Sequence, residues 1–223
     1  MMSSAQIPAE YLNQIVTGDA RVLSERLPDE SVDLIFTDPV YWNIEDYYWL
    51  GKEAVRVLKP ESAALVFFGV GLLPQTLDAV TAYGLKYRWY IPHLTPGTSG
   101  YCDTGPSRQM GMLWLEKGRT KPSTPLYDVV FTNGVQDWHI WRKNLLGITR
   151  WLEAFSKPGG VVWDAFTGGG SIPAVCKMLG RDYIAFEIDA ATAESAREHV
   201  AMTKFPLFVL GEEQAELDLT GAA

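Results

Sequence analysis

The run VVWDAFTGGGSIPAVCKMLGRDYIAFEID (161–189) restricts the fold of this chain more than any other stretch. An apolar segment ends at Asp164, and three glycines, Gly168, Gly169 and Gly170, follow four residues on. SIPAVCKMLG then has helical spacing with Gly180 at its end. A second apolar segment, DYIAFEID, carries Glu187, 23 residues after Asp164. Strand, glycine loop, helix and acid-tipped strand form a βαβ unit that binds a nucleoside at the carboxyl ends of its strands. Glycines let the backbone approach the ligand, and the acid accepts hydrogen bonds from two ribose hydroxyls. The same letters taken alone also fit a glycine-rich turn between ordinary elements.

The glycine spacing departs from G-x-G-x-x-G, and no lysine follows the loop as a phosphate-binding loop requires. A nucleoside without phosphates therefore fits better than a dinucleotide, and S-adenosylmethionine is the common one.

The rest of the chain reads as alternating strands and helices. VDLIFT (32–37) is a short buried strand, and EDYYWLGKEAVRVLKP is a helix stopping at Pro60. AALVFFG (63–69) is a second apolar run, LLPQTLDAVTAYG a helix closed by Gly84, and LKYRWYI (85–91) a half-exposed strand. Residues 92–108 read as a long loop, QMGMLWLEKG (109–118) as a strand and PLYDVVFT as another. RKNLLGITRWLEAFSKPGG is a helix ending at Pro158-Gly159, and ATAESAREHVAMTK a last helix starting near Asp189. The acidic tail after Leu210 reads as loose. Such alternation predicts an α/β domain with a mostly parallel sheet covered on both faces. No repeat or linker divides the 223 residues, so one domain over 1–223 is expected.

At 47% apolar and 21% charged residues the chain can bury a sizeable core and is not disordered. It has no apolar run of the roughly 18 residues that span a bilayer, and its N-terminus lacks the pattern of a signal peptide. A cytoplasmic protein with no membrane contact is expected. The net charge of −8 argues against a polyanion partner, but its distribution does not. Between 84 and 148 fall eight basic and four acidic residues, a net of +4. That middle third reads either as chance clustering or as an electrostatic footprint for a polyanion.

DLIFTDPVYWN (33–43) ends a buried strand on a carboxylate, a proline and two aromatics. Alone, TDPVYW fits a plain strand-to-turn junction. Together with the glycine loop it acquires a family. DAFTGGGSI resembles the Asp-Pro-Phe-x-Gly-Ser-Gly-Thr-Thr cofactor motif of DNA amino-methyltransferases, and DPVY resembles their Asp-Pro-Pro-Tyr catalytic motif. TGDARVLSERLPDESVDLIFTDPVYW is similar to the family's N-terminal run. HIWRKNLL (139–146) is similar to the His-x-x-x-Lys segment before the cofactor strand. The catalytic motif comes first, which is the permuted order of the beta class.

The resemblance implies a Rossmann-like S-adenosylmethionine-dependent methyltransferase fold with a mostly parallel seven-stranded sheet. It implies methyl transfer to an exocyclic amine of DNA. That amine is a poor nucleophile, because its lone pair is delocalised into the ring. Asp38 and the Pro39 carbonyl would accept its two N–H groups, favouring a pyramidal nitrogen where charge develops. Tyr41 would stack on a flipped or single-stranded base, with Trp42 extending the platform. Val40 stands where the family has a second proline, but neither acceptor is lost. Asp19 matches a position near the cofactor's adenine, and Lys143, with His139, one near its methionine end. Asp164 would meet the ammonium and Phe166 the adenine ring, while Asp38, Thr167, Gly168, Gly169, Gly170 and Glu187 would complete the cofactor site. Ala165, Gly169 and Ile172 replace the family's proline, serine and threonine.

An aspartate first in the motif suits adenine N6 more often than cytosine N4 within the family, so adenine is expected. Cytosine N4, and a catalytically impaired relative acting through DNA or partner binding, are the alternatives. Methylation at ring carbon would need a nucleophilic cysteine. Cys102 follows Tyr101, and Cys176 sits in the predicted helix as a small buried side chain. For DNA contact only residues 92–138 are available as a reduced target-recognition or loop region. Arg108, Arg119 and Lys121 there suit phosphates, and a homodimer would supply further surface. His93 and His199 receive no role.

Overall fold

The computed structural model describes residues 6–94, 100–102, 105–131 and 145–203. Its strands are β1 (Gln14–Thr17), β2 (Val32–Thr37), β3 (Leu58–Phe68), β4 (Lys86–Leu94), β5 (Gly100–Cys102), β6 (Gly105–Ser107), β7 (Gln109–Lys117), β8 (Val130–Phe131), β9 (Val161–Asp164) and β10 (Asp182–Glu187). Its helices are α1 (Ala20–Leu23), α2 (Ile44–Val57), α3 (Leu73–Thr81), α4 (Leu145–Phe155), α5 (Ser171–Leu179) and α6 (Ala190–Met202). The main sheet runs β1-β10-β9-β2-β3-β7-β4-β8, and β5 with β6 forms a separate hairpin. β7 alone runs against the rest of the main sheet. Seven strands match the number the resemblance implies, and the two-residue β8 adds an eighth at the edge.

The sheet is buried on both sides because its strands alternate two sets of apolar residues. In β3, Ala64, Val66 and Phe68 join a core with Tyr47, Leu50 and Val57 of α2 and Ala79 and Val80 of α3. Ala63, Leu65 and Phe67 join the opposite core with Trp151 of α4, Val175 of α5 and Ala196 of α6. Cys176 is fully buried in that second core, and burial pushes its thiol well up.

Four elements depart from the sequence reading. The helix expected to reach Pro60 stops at Val57, and β3 begins at Leu58. Leu58 pairs with Val32, but pairing resumes only at Leu34–Ala63. Pro60, which has no N–H for the ladder, sits in that irregularity beside Glu61 at φ +59°. The loop expected over 92–108 is shortened by β4, which runs on to Leu94, and by the β5–β6 hairpin. Among its described residues, PLYDVVFT contributes Val130–Phe131 alone to the sheet. β1 was not expected, because its partner β10 lies far along the chain. No helix among the described residues is long and apolar enough to cross a membrane.

Candidate active site

The sheet register brings the functional segments to one edge. Thr17 pairs with Glu187, Ala185 with Asp164, and Ile35 with Trp163. All four strands are parallel, so Asp19, Glu187, Asp164 and Asp38 emerge at the same carboxyl-terminal edge. From β9 the chain passes through α5 to β10 on one side, and from β2 through α2 to β3 on the other. With α5 and α2 on opposite faces, a crevice opens between the ends of β9 and β2.

Thr37 closes the floor of that crevice. Its hydroxyl donates to Asp164 Oδ1 at 2.8 Å and accepts the Phe166 N–H at 3.1 Å. The Phe166 N–H also reaches Asp164 Oδ1, at 3.3 Å. Asp164 is 1% exposed, and its Oδ2 has no hydrogen-bond partner among the described residues. Burial pushes its carboxyl up to about 7, and the negative charges of Asp38 and Glu187 add to the rise. The hydrogen bonds from Thr37 and the Phe166 amide work in the opposite direction. A buried, half-satisfied acid of this kind suits a cationic partner.

The glycine loop stands beside it. Thr167 donates its N–H to the Phe186 carbonyl at 3.0 Å and its hydroxyl to the Asp164 carbonyl at 3.3 Å. The Gly168 N–H donates to Glu187 Oε2 at 2.8 Å, while Glu187 Oε1 accepts the Asp189 N–H at 2.9 Å. Each carboxylate oxygen keeps further acceptor capacity. Gly168 has φ +50° and open space where a Cβ would stand, which leaves its backbone approachable. Gly170 has φ +78°, and a Cβ there would come within 3.1 Å of Ala196 on α6. Phe166 packs edge-on against Trp49, ring centroids 5.8 Å apart, and so turns part of its ring to the core. Asp19 caps α1 by accepting the Arg21 N–H at 2.8 Å.

Across the crevice lies the Asp-Pro corner. Tyr41 and Tyr47 flank Asp38. Burial first, and then the Asp38 charge, hold both phenols far above their ordinary range, so both stay protonated. The Tyr47 hydroxyl donates to the Phe67 carbonyl at 3.2 Å, and the Tyr41 hydroxyl approaches Met110 Sδ at 3.6 Å. Gly69 makes room for Tyr41, since a Cβ there would lie 3.2 Å from the Tyr41 Cβ. Pro39 is buried, yet its carbonyl accepts none of the hydrogen bonds found among the described residues. Val40 is 43% exposed; its carbonyl accepts the Asn43 N–H at 3.1 Å, and its own N–H donates to nothing described. Trp42 stands out in solvent at 81% exposure.

Of the other expected residues, Arg108 lies at the crevice edge, and Arg119 and Lys121 lie away from it. Arg108 is exposed at the entrance to β7, on the crevice edge. Arg119 and Lys121 follow the far end of β7, where Lys117 pairs with Ser62 at the opposite edge of the sheet. Thr120 between them is bonded back to Glu116 and Trp114. Lys143 and His139, parts of the 92–138 region and the tail after Leu210 lie outside the described residues. Sequence reasoning missed Thr37, Tyr47 and His199, all of which touch this site or its loop. The one sequence signal for Thr37 was its place directly before Asp38.

Residues 1–66, which carry β2 and the Asp38 corner, match the methyltransferase domain family. The class of the fold is accordingly an α/β methyltransferase. Residues 87–198 match the DNA methylase family, half of the chain, and the chain belongs to that family. It is 23% identical to the type II methyltransferase M.HinfI of Haemophilus influenzae, over 87% of this chain and 70% of that protein. It is 26% identical to the putative methylase YubD of Escherichia coli, over 79% and 85% respectively. Similar folds are found in a putative DNA modification methylase of Thermus thermophilus complexed with S-adenosyl-L-methionine (TM-score 0.71, 20% identity, 87% of this chain and 95% of that one). The M1.HpyAVI–SAM complex is comparable (TM-score 0.69, 20% identity, 84% and 98%). So is the cytosine-N4-specific PvuII DNA methyltransferase (TM-score 0.72, 15% identity, 82% and 84%).

Proposed function

We propose that this protein transfers a methyl group from S-adenosylmethionine to the N6 amine of adenine in DNA. One observation carries the reading: the hydrogen bond between Thr37 and Asp164 joins the strand end that bears Asp38 to the strand end that bears the glycine loop. A group held by the loop and a base held at the Asp-Pro corner would share one crevice.

The residues present suit the cofactor. Asp164 Oδ2, buried and with no hydrogen-bond partner among the described residues, suits an ammonium. Gly168 leaves its backbone open to a nucleoside, and Glu187 at the neighbouring strand tip suits a ribose diol. When bound, S-adenosylmethionine supplies an electrophilic methyl on a sulfonium.

The chain's own groups prepare the acceptor. The Asp38 carboxylate and the Pro39 carbonyl accept the two amine N–H groups and turn the nitrogen lone pair toward the methyl donor. Asp38 need not take a proton before attack, because the nitrogen sheds its proton once it has become cationic. The neutral Tyr41 ring stacks on a base removed from its duplex, which offsets roughly 1–3 kcal/mol of lost stacking. Asp38 at the first motif position supports adenine over cytosine. Arg108, exposed on the crevice edge, supports phosphate contact.

Modified-base sequencing of DNA from cells expressing the protein tests this. N6-methyladenine in a fixed sequence context is expected with the wild type and is lost with Asp38→Ala. Val40→Pro removes no hydrogen bond and places its ring in solvent, so it is expected to raise the modified fraction. Methylation confined to cytosine, or retained in full by Asp38→Ala, would refute the assignment.

A further inference from the structure

The third histidine of the sequence lies against the glycine loop. His199 on α6 is 9% exposed, and its Nδ1 lies 2.9 Å from the Gly169 carbonyl. A carbonyl oxygen can only accept, so Nδ1 must carry the proton. One turn earlier on the same helix, Ala196 stands where a Gly170 side chain would have to go. The helix is itself fastened. Arg197 donates through Nε to the Ile15 carbonyl at 3.0 Å and through a terminal nitrogen to Thr17 Oγ1 at 2.6 Å. Lys177 of α5 donates to the carbonyls of Val200 and Ala201. The loop is therefore gripped from two sides: by Glu187 at the Gly168 N–H and by His199 at the Gly169 carbonyl.

We infer that His199 is a positioning residue that sets the glycine loop for the methyl donor. Its proposed action is indirect, through the Gly169 carbonyl. Two adjacent glycines, one with φ +50° and the other followed by Gly170 at φ +78°, have wide backbone freedom. A donor that must order them itself binds more weakly, and a loop held in advance removes that loss. This inference rests on the proposed use of the loop, yet the grip on Gly169 can be read without any donor.

The test compares the wild type with His199→Leu, which fills the space without a donor, and His199→Asn, which returns an N–H near Nδ1. His199→Asp, the size of Asn and an acceptor only when ionised, serves at alkaline pH as a second loss variant should Leu fail to fold. Isothermal titration with S-adenosylmethionine is expected to show a dissociation constant raised roughly tenfold for Leu and Asp, the worth of about one hydrogen bond, and near wild type for Asn. KM for the donor should rise while kcat holds. Amide exchange at Gly168–Gly170 in the free protein should accelerate with Leu or Asp and be restored by Asn. Equal weakening by Leu and Asn, or unchanged exchange in all variants, overturns the inference. If the wild type itself binds no S-adenosylmethionine, the proposed function falls, and exchange alone decides the role of His199.

Discussion

Asp164 is enclosed in protein, and its carboxyl is pushed up to about 7 chiefly by that burial. An acid whose pKa is raised on folding binds its proton more tightly in the native state. Stability from this group is therefore full below about pH 4 and falls as pH rises through about 7. If the donor's ammonium pairs with the ionised form, as proposed, donor binding has the opposite slope. Affinity for S-adenosylmethionine is expected to fall about tenfold per pH unit below 7, with one proton released on binding. Titration in buffers of different ionisation enthalpy measures that proton, and Asp164→Asn should abolish both the release and the slope. The place of Asp164 at a strand end beside the glycine loop was legible in the sequence. Its protonation was not, because that depends on Thr37, Asp38 and Glu187 arriving from other strand ends.

At the scale of elements, local signals held where one segment contains its own stop. Gly180 closes α5 in the left-handed conformation, Asp189 caps α6, and both were readable as letters. They failed where the partner is remote. β1 needs β10, and the end of α2 is set by Leu58 joining Val32 rather than by Pro60. The packing of α2 on α3 was equally hidden, since it turns on the missing side chain of Gly51. A Cβ there would lie 2.7 Å from the Val80 carbonyl oxygen and 3.0 Å from that of Ala79. Both are backbone atoms, so the helices must part. Gly51→Ala is expected to cost about 1–3 kcal/mol in overpacking, against roughly 0.5–1 kcal/mol gained in helix propensity. A melting temperature lowered by a few degrees in calorimetry would bear this out, and a raised one would show that the helices have slack.

At the scale of the molecule, the described basic residues of the middle third do not form one patch. β7 carries the chain from the crevice edge to the opposite edge, separating Arg108 from Arg119 and Lys121. Spacing along the chain could not show this, because an antiparallel strand moves its two ends some 25–30 Å apart at about 3.4 Å per residue. If DNA lies over the crevice, Arg108→Ala should weaken its binding and shallow the salt dependence by about one charge. Arg119→Ala and Lys121→Ala should leave both nearly unchanged. Fluorescence anisotropy across a salt series separates the two cases. An equal effect from all three would mean that the bound DNA reaches the opposite edge of the sheet.

The proposed meeting of a methyl donor and an amine across the β2–β9 crevice is read most directly by the fate of the methyl. Purified protein is incubated with methyl-labelled S-adenosylmethionine and unmodified genomic DNA, and the DNA is digested to nucleosides. Label is expected in N6-methyl-2′-deoxyadenosine, and none is expected with Asp38→Ala. Label in 5-methylcytosine, or donor bound with no label transferred, would contradict it.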